Sequence, residues 1–242
     1  MSLYCSPLAP AVLLWRESAS GLSLPAYFFA CNVIDWLWVL LAPAISLGPY
    51  YYLTLPRMAF GQLYAAGLGV CWWCSGMAYL VSAVLPPQSV LMAGVFIALI
   101  CGAFLHGLSP TLAAARGTAL EGVLGLSYNR WAMEAVTLAE FRYYEPDMRT
   151  TLMSLSRSIG LCGVDKLLRI EGGKGDGGGP GGGGEEVTAL EALRFLGVQR
   201  TFTVAGCDRY STAAYVALAG LGLGFRLLGF LLLRRSCLRR QR

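Results

Sequence analysis

The most constraining feature of this sequence is a stretch from Met58 to Ala115 that contains no Asp, Glu, Lys or Arg. In a soluble domain about a quarter of the residues carry charge, whereas this chain has 14% charged and 56% hydrophobic residues. A helix that crosses a bilayer needs about 20 apolar residues, so the stretch is long enough for two such helices. The composition therefore predicts a membrane protein with several spans and excludes a soluble enzyme or a largely disordered chain.

Four segments are predicted to span the membrane as helices, because a helix satisfies its own backbone hydrogen bonds in lipid. The charge-free stretch supplies the second and third spans, separated by Pro86 and Pro87, which interrupt a helix. The first and last spans contain a single charged residue each, Asp35 and Arg226. The sequence thus predicts an all-α bundle of four transmembrane helices, over residues 27–47, 60–85, 89–107 and 210–233.

Arginine residues set the predicted orientation of the chain. Five arginines follow the last span within residues 234–242, and positive residues beside a span stay in the cytoplasm. With four spans, residues 1–26 are then cytoplasmic as well, and residues 108–209 form an external loop. Residues 8–14 are apolar, but no basic residue precedes them, so a cleaved signal peptide is not expected. A basic tail beside anionic membrane lipids accounts for the net charge of +5, and no nucleic-acid partner is expected.

The predicted external loop has two unlike parts. Residues 117–140 are apolar with interspersed charges and aromatics, which are typical of the membrane boundary, so we expect a re-entrant or surface-lying helix there. Residues 172–184 are mostly glycine and predict a flexible linker. A phosphate-binding loop is a poor alternative, since no Lys-Ser/Thr pair follows. Cys162 and Cys207 flank this linker where oxidation can occur; either they pair and tie its ends together, or they stay reduced.

Few side chains in the predicted spans could carry chemistry. A carboxylate at the bilayer centre costs about 2.5–3.5 kcal/mol, so Asp35 is expected to hydrogen-bond a neighbouring helix, with proton relay as the alternative. Arg226 lies towards the cytoplasmic end of its span and is expected to snorkel outward. Cys71 and Cys74 have redox-motif spacing but lack the βαβ context of such sites, which favours packing residues. His106 is the single histidine, so the sequence predicts neither a metal site nor an enzyme.

Small residues at a spacing of four predict close helix packing on the third and fourth spans. Such pairs let two helix backbones approach each other in lipid. The pairs are Ala98/Gly102, Ala213/Ala217 and Gly220/Gly224.

Several motifs follow one another in a fixed order along the chain. The first, Trp15-Arg-Glu-Ser-Ala-Ser-Gly21, stands just before the first span. Ala26-Tyr-Phe-Phe29, Ile34-Asp35, Pro56-Arg-Met-Ala-Phe60, Ser75-Gly-Met-Ala-Tyr79 and Tyr128-Asn-Arg-Trp-Ala-Met-Glu-Ala135 come after it. Together they resemble the G subfamily of ABC transporters, the white–brown complex type, and especially its plant half-size members. The resemblance covers residues 15–162 and 201–235.

The resemblance implies a partial ABC-2 type transmembrane domain, whose four spans correspond to helices three to six of the family. It implies an ATP-driven exporter of lipidic or amphipathic substrates. Phe96 and Ile100 would face the substrate cavity, with contact to lipid or a neighbouring helix as the alternative, and Leu108 would lie near the outer gate. The residues that would couple this domain to a nucleotide-binding domain are Trp15, Arg16, Glu17 and Gly21.

The sequence also departs from the family it resembles. It contains no Walker-type Gly-x-x-x-x-Gly-Lys-Ser/Thr loop, and the first two transmembrane helices of the family have no counterpart. We therefore expect no cofactor in this chain, with ATP and magnesium bound by a nucleotide-binding domain elsewhere, and a second half-transporter as partner in the plasma membrane. Either the chain is a fragment, or a partner supplies the rest. The alternative function is a non-transporting membrane scaffold or regulatory partner of a full-length transporter.

Overall fold

A computed structural model describes residues 21, 23–107, 111–115, 117–159 and 207–240. The described part of the chain is helical and contains no strand, which confirms the predicted all-α class. Its helices are α1 (Leu24–Thr54), α2 (Phe60–Val84), α3 (Pro87–Leu99), α4 (Leu112–Ala115), α5 (Ala119–Leu126), α6 (Tyr128–Ile159) and α7 (Asp208–Arg240).

Three of the described helices are long and apolar enough to cross a membrane: Leu24–Thr54, Phe60–Val84 and Tyr210–Arg235. The third predicted span, residues 89–107, corresponds to a shorter apolar helix, Gln88–Phe104. This helix ends in a π turn, Ile100–Phe104, which widens its last turn. Three of the four predicted spans therefore lie in helices long enough to cross a membrane, and the third lies in a shorter helix that ends at this turn.

Prolines lie at several helix ends. Pro87 lies in the first turn of α3, where its missing N–H is not needed. Leu55 ends α1 with a left-handed φ of 46°, and Pro56 follows it. Pro43 and Pro49 lie inside α1, which continues through both and ends beyond the predicted boundary at residue 47. Membrane helices tolerate internal proline where neighbouring groups support the freed carbonyls.

The centre of the bundle is formed by α2 and α7, which run parallel. Tyr215 of α7 hydrogen-bonds the carbonyl of Gln62 near one end of α2, and Gly229 packs on the backbone of Tyr79 near the other. The preceding helix α1 runs in the opposite direction, since Phe28 in its first turns stacks against Tyr79, with ring centroids 5.3 Å apart. These three helices bring residues from distant parts of the chain to the same level.

Two glycines let α2 and α7 approach to backbone contact. A Cβ on Gly76 would overlap the carbonyl oxygen of Gly222, and a Cβ on Gly222 would overlap Trp72. The predicted pair Gly220/Gly224 does not pack against α2, because neither residue has a neighbouring atom among the described residues within 4 Å of an added Cβ. The fully buried residues of α7 lie on the face that contains Gly222 instead.

The segment over residues 117–140 forms two helices, α5 and α6, rather than one, because Ser127 separates them. The hydroxyl of Ser127 donates to the carbonyl of Cys101 (3.1 Å), and the side-chain amide of Asn129 donates to the carbonyl of Gly102 (2.7 Å). Both carbonyls belong to the π turn that ends α3. The start of α6 is therefore anchored on the end of α3.

Candidate functional site

Arg226 lies at the contact between α1, α2 and α7, with 5% of its side chain exposed. Its Nε donates to Oδ1 of Asn32 (2.9 Å), and its Nη1 donates to the carbonyl of Trp72 (3.0 Å). Its Nη2 donates to Oδ2 of Asp35 (3.0 Å) and to Oγ of Ser75 (2.7 Å). We call Arg226, Asp35, Asn32 and Ser75 the arginine network. It joins three helices through one guanidinium group.

The prediction that Arg226 snorkels outward is therefore wrong. Snorkelling avoids the cost of burying a charge, but here Asp35 supplies an opposite charge at the same level of the bundle. The guanidinium also finds enough acceptors to satisfy its hydrogen bonds, which a buried charge requires. Asp35 bonds two neighbouring helices, since Ser75 donates to the same carboxylate oxygen as Arg226.

Local sequence spacing aligns the members of this network. Asn32 and Asp35 are three residues apart on α1, so their side chains share one face. On α2, Trp72 is three residues before Ser75 and contributes both its carbonyl and its ring. The guanidinium carbon of Arg226 lies 3.5 Å from the centroid of the Trp72 ring, a cation–π geometry that stabilises a desolvated charge. The close approach of α2 and α7 brings these groups together.

The arginine network is electrically neutral and internally bonded, and it suits a structural role in a medium of low dielectric constant. Removing one partner of such a pair would leave the other charge buried without compensation. Among the described residues, no group of three or more His, Cys, Asp or Glu residues is arranged to hold a metal ion. The network therefore holds α1, α2 and α7 together.

A second polar contact joins α6 to the connection between α1 and α2. The carboxylate of Glu140 accepts the backbone N–H of Arg57 (3.0 Å) and of Met58 (2.9 Å) with its two oxygens. The guanidinium of Arg57 lies 4.4 Å from the ring centroid of Tyr144, one turn further along α6. We call Glu140, Arg57, Met58 and Tyr144 the Glu140 clasp. It holds this connection against α6 at two adjacent backbone positions.

Apolar packing supports the Glu140 clasp from the inside. Met58 is buried together with Leu63 and Ala139. The hydroxyl of Tyr51 donates to the carbonyl of Met58 (3.1 Å). At its other end, α6 begins with Tyr128, whose ring contacts the buried Trp73 in the middle of α2. The clasp and this ring contact together hold α6 beside the first half of α2.

Phe96 and Ile100, the predicted cavity residues, lie on α3 and its π turn. They are 61% and 48% exposed, and the described residues of α3 include no buried side chain. The exposed face of α3 is therefore open to lipid, to a partner or to a cavity. The structure does not bring Phe96 or Ile100 into contact with the arginine network.

The remaining predicted site residues fall largely elsewhere. Gly21 is exposed with a positive φ of 100°. Cys207 is buried and disulfide-bonded, while its pairing with Cys162 stays a prediction. Cys71 and Cys74 are free. The predicted residues that lie outside the described part of the chain are Trp15, Arg16, Glu17, Leu108 and Cys162.

Sequence reasoning missed most of these polar contacts. It considered Asp35 and Arg226 separately and did not single out Asn32, Ser75 or Glu140. One signal could have revealed the ion pair: each predicted span that contains a charge contains exactly one, and the two charges are opposite. Two lone opposite charges in apolar helices pair at lower cost than either is buried alone.

The three long apolar helices and the ion pair buried between them define a polytopic α-helical membrane protein. Residues 9–153, more than half of the chain, match the family model of the ABC-2 type transporter. This chain therefore belongs to the ABC-2 type transporter family, and its described helices are part of a transporter membrane domain. No solved structure matches the chain.

The curated relatives are plant proteins. The chain is 30% identical to ABC transporter G family member 25 of Oryza sativa subsp. japonica over 142 residues, which cover 54% of this chain and 12% of that protein. It is 25% identical to white-brown complex homolog protein 30 of Arabidopsis thaliana over 130 residues, again 54% and 12%. The chain thus covers only about an eighth of the length of these relatives. These matches confirm the resemblance seen in the sequence motifs.

Proposed function

We propose that this chain forms the transmembrane part of an ATP-driven exporter of lipidic or amphipathic substrates in the plasma membrane. The match of residues 9–153 to the ABC-2 type transporter model carries the proposal, and relatives named as ABC transporters of the G family support it. In this proposal a nucleotide-binding domain and a second half-transporter complete the transporter.

Coupling to ATP runs through the segment that precedes α1. Trp15, Arg16, Glu17 and Gly21 dock on the nucleotide-binding domain, on the cytoplasmic side. The first helix begins at Leu24, directly after this segment. Because the arginine network ties α1 to α2 and α7, a push on α1 moves the three helices as one body. Such rigid-body motion switches a cavity between two orientations while hydrolysis takes place elsewhere.

The substrate path follows the exposed face of α3. Phe96 and Ile100 lie one turn apart, so they share a helix face, and both are largely exposed. In the proposal they line an apolar cavity between two half-transporters, and Leu108 forms part of the outer gate. An apolar lining suits amphipathic molecules that partition from the membrane.

Export of a fluorescent short-chain phosphatidylcholine from cells that co-express this chain with a full-length half-transporter tests the proposal. We expect ATP-dependent export to fall about fivefold in Phe96→Ala and Ile100→Ala, a typical loss for a truncated apolar contact. Leu91→Ala is the matched control, because Leu91 is 76% exposed on the same helix but offset from Phe96 by about 140°. Equal loss in all three variants would contradict a specific cavity.

Crosslinking tests the partner. A Glu17→Cys variant of the full chain should form a disulfide or a short thiol crosslink with the nucleotide-binding domain of the co-expressed transporter. Failure to capture that domain counts against coupling. The scaffold alternative replaces the exporter proposal under two joint conditions. The chain changes the amount of the transporter in the membrane, and export is unchanged in Phe96→Ala and Ile100→Ala.

A further inference from the structure

Only one of the two carboxylate oxygens of Asp35 accepts hydrogen bonds from the described residues. Its Oδ2 accepts from both Arg226 and Ser75, whereas its Oδ1 accepts no hydrogen bond from the described residues. The Asp35 side chain is 27% exposed, so it is not fully enclosed by the bundle. We call the unbonded Oδ1 the open edge of the carboxylate.

An open carboxylate edge is costly at this position. Asp35 lies in a helix long and apolar enough to cross a membrane, and leaving a hydrogen-bond acceptor unsatisfied in an apolar medium is unfavourable. A donor that reaches Oδ1 would remove this cost.

Two indole rings lie near Asp35, because Trp36 follows it on α1 and the Trp72 ring contacts Arg226, its ion-pair partner. Trp36, the next residue on α1, is 48% exposed, and its ring centroid lies 4.8 Å from that of Trp72. Trp72 is held in place because its Nε1 donates to the carbonyl of Ala219 (3.1 Å) and its ring contacts Arg226. A hydrogen-bonding group near apolar aromatic side chains is typical of sites for small amphipathic molecules.

The charge balance selects the type of donor. Arg226 already neutralises Asp35, and its guanidinium lies against the same indole, so a cationic ligand would meet a like charge nearby. A neutral hydroxyl avoids this repulsion. We propose that the open edge of Asp35 binds the hydroxyl group of a neutral amphipathic cargo whose apolar body lies on Trp36 and Trp72. That the bound molecule is transported rests on the proposed export function, whereas the site itself is defined by the contacts above.

Photolabelling of the full chain in membranes tests this site without ATP. The probes are a long-chain primary alcohol with a diazirine in its chain and the methyl ether of the same molecule. We expect saturable labelling of residues 31–38 by the alcohol, about tenfold above that by the ether, because the ether cannot donate to Asp35; tenfold corresponds to one hydrogen bond of ordinary strength. Excess unlabelled alcohol should compete.

Two tryptophan variants serve as a matched pair. Trp36→Ala should lower labelling by the alcohol at least threefold. Trp38→Ala should leave it unchanged, because Trp38 is 47% exposed but makes no ring contact among the described residues. Both side chains are about half exposed, and the amount of folded protein in the membrane is measured alongside, because Trp36→Ala also removes the ring contact with Trp72.

Equal labelling by the alcohol and the ether would overturn the proposal, because it indicates ordinary lipid contact. Equal effects of the two tryptophan variants would also overturn it. So would crosslinks from Trp36 to a second copy of the chain that the alcohol does not reduce, because they indicate that a partner covers the open edge. The two proposals fail separately. Export without specific labelling removes the Asp35 site and leaves the exporter, whereas specific labelling without ATP-dependent export keeps the site and removes the exporter.

Discussion

The arginine network and the Glu140 clasp both use a charged side chain to hold helices together, but their surroundings differ. Arg226 is almost fully buried, and it bonds side chains and a carbonyl from two other helices. Glu140 is half-buried, and it accepts two backbone N–H groups from the connection that precedes α2. The network joins the middles of three helices, whereas the clasp joins one helix to a connection at a helix end.

This difference in burial determines how much stability is lost when each contact is removed. A buried ion pair contributes little net stability over an apolar alternative, but breaking it leaves a charge without a partner and is strongly destabilising. A carboxylate near the surface regains water when its hydrogen bonds are lost, so its removal costs far less. We therefore expect the two regions to respond very differently to substitutions of similar size.

The largest expected effect is that of Arg226→Met. It removes the guanidinium and leaves Asp35 without its counter-ion, which should lower the free energy of unfolding by about 3–5 kcal/mol. The measurement is denaturant unfolding of the full chain in detergent micelles. The double variant Arg226→Met/Asp35→Leu should recover a substantial part of the loss, because no unpaired charge remains. If the double variant is as unstable as the sum of the two single variants, the pair is not coupled.

Gly222→Ala should have the next largest effect. The added methyl would collide with Trp72, whose carbonyl and ring contact Arg226, and overpacking of this kind costs about 1–3 kcal/mol. The matched control is Gly220→Ala, since nothing lies within 4 Å of a Cβ there. Equal destabilisation by both alanines, in the same unfolding assay, would mean that the contact with Trp72 does not set the effect, since alanine by itself favours a helix over glycine.

Glu140→Gln tests the clasp with a nearly isosteric change. The amide keeps only one acceptor oxygen, so one of the two hydrogen bonds is lost and the other loses its charge, at a total cost of about 1–2 kcal/mol. Hydrogen exchange at the amides of Arg57 and Met58 should accelerate at least fivefold. The amide of Leu55 is an internal control, because it bonds the carbonyl of Tyr51 in α1. A loss of global stability as large as that of Arg226→Met would break the contrast between the two regions.

The smallest expected effect is that of Arg57→Gln. The backbone N–H of residue 57 still reaches Glu140, so only the contact with the Tyr144 ring is lost, worth about 0.5–1 kcal/mol at an exposed site. Arg57→Lys retains a cation and should lose less than Arg57→Gln. Unfolding midpoints of the three proteins in the same detergent provide the comparison, and a larger loss in the lysine variant would show that charge over the ring is not the stabilising factor.

Much of the fold could be predicted from the sequence because lipid imposes strong rules. Long apolar runs with at most one charge identified three full-length helices, and the paired prolines marked the turn before α3. The same rules predicted helix ends and packing faces less well. Pro49 did not end α1, and the third span stopped at a π turn. Gly222 rather than Gly220 faces α2. Each depends on which neighbour supports or crowds the backbone.

The composition by itself determined the class of this protein, because apolar side chains without charges are stable only in lipid, where the backbone must close its own hydrogen bonds in helices. Ordered motifs in the sequence indicated the transporter family. Only the tertiary structure decided that Arg226 points inward to Asp35, and that Glu140 holds the backbone at Arg57 and Met58. A side chain has many positions within reach of its helix, and the one it takes depends on residues far away in the chain that packing brings to its side.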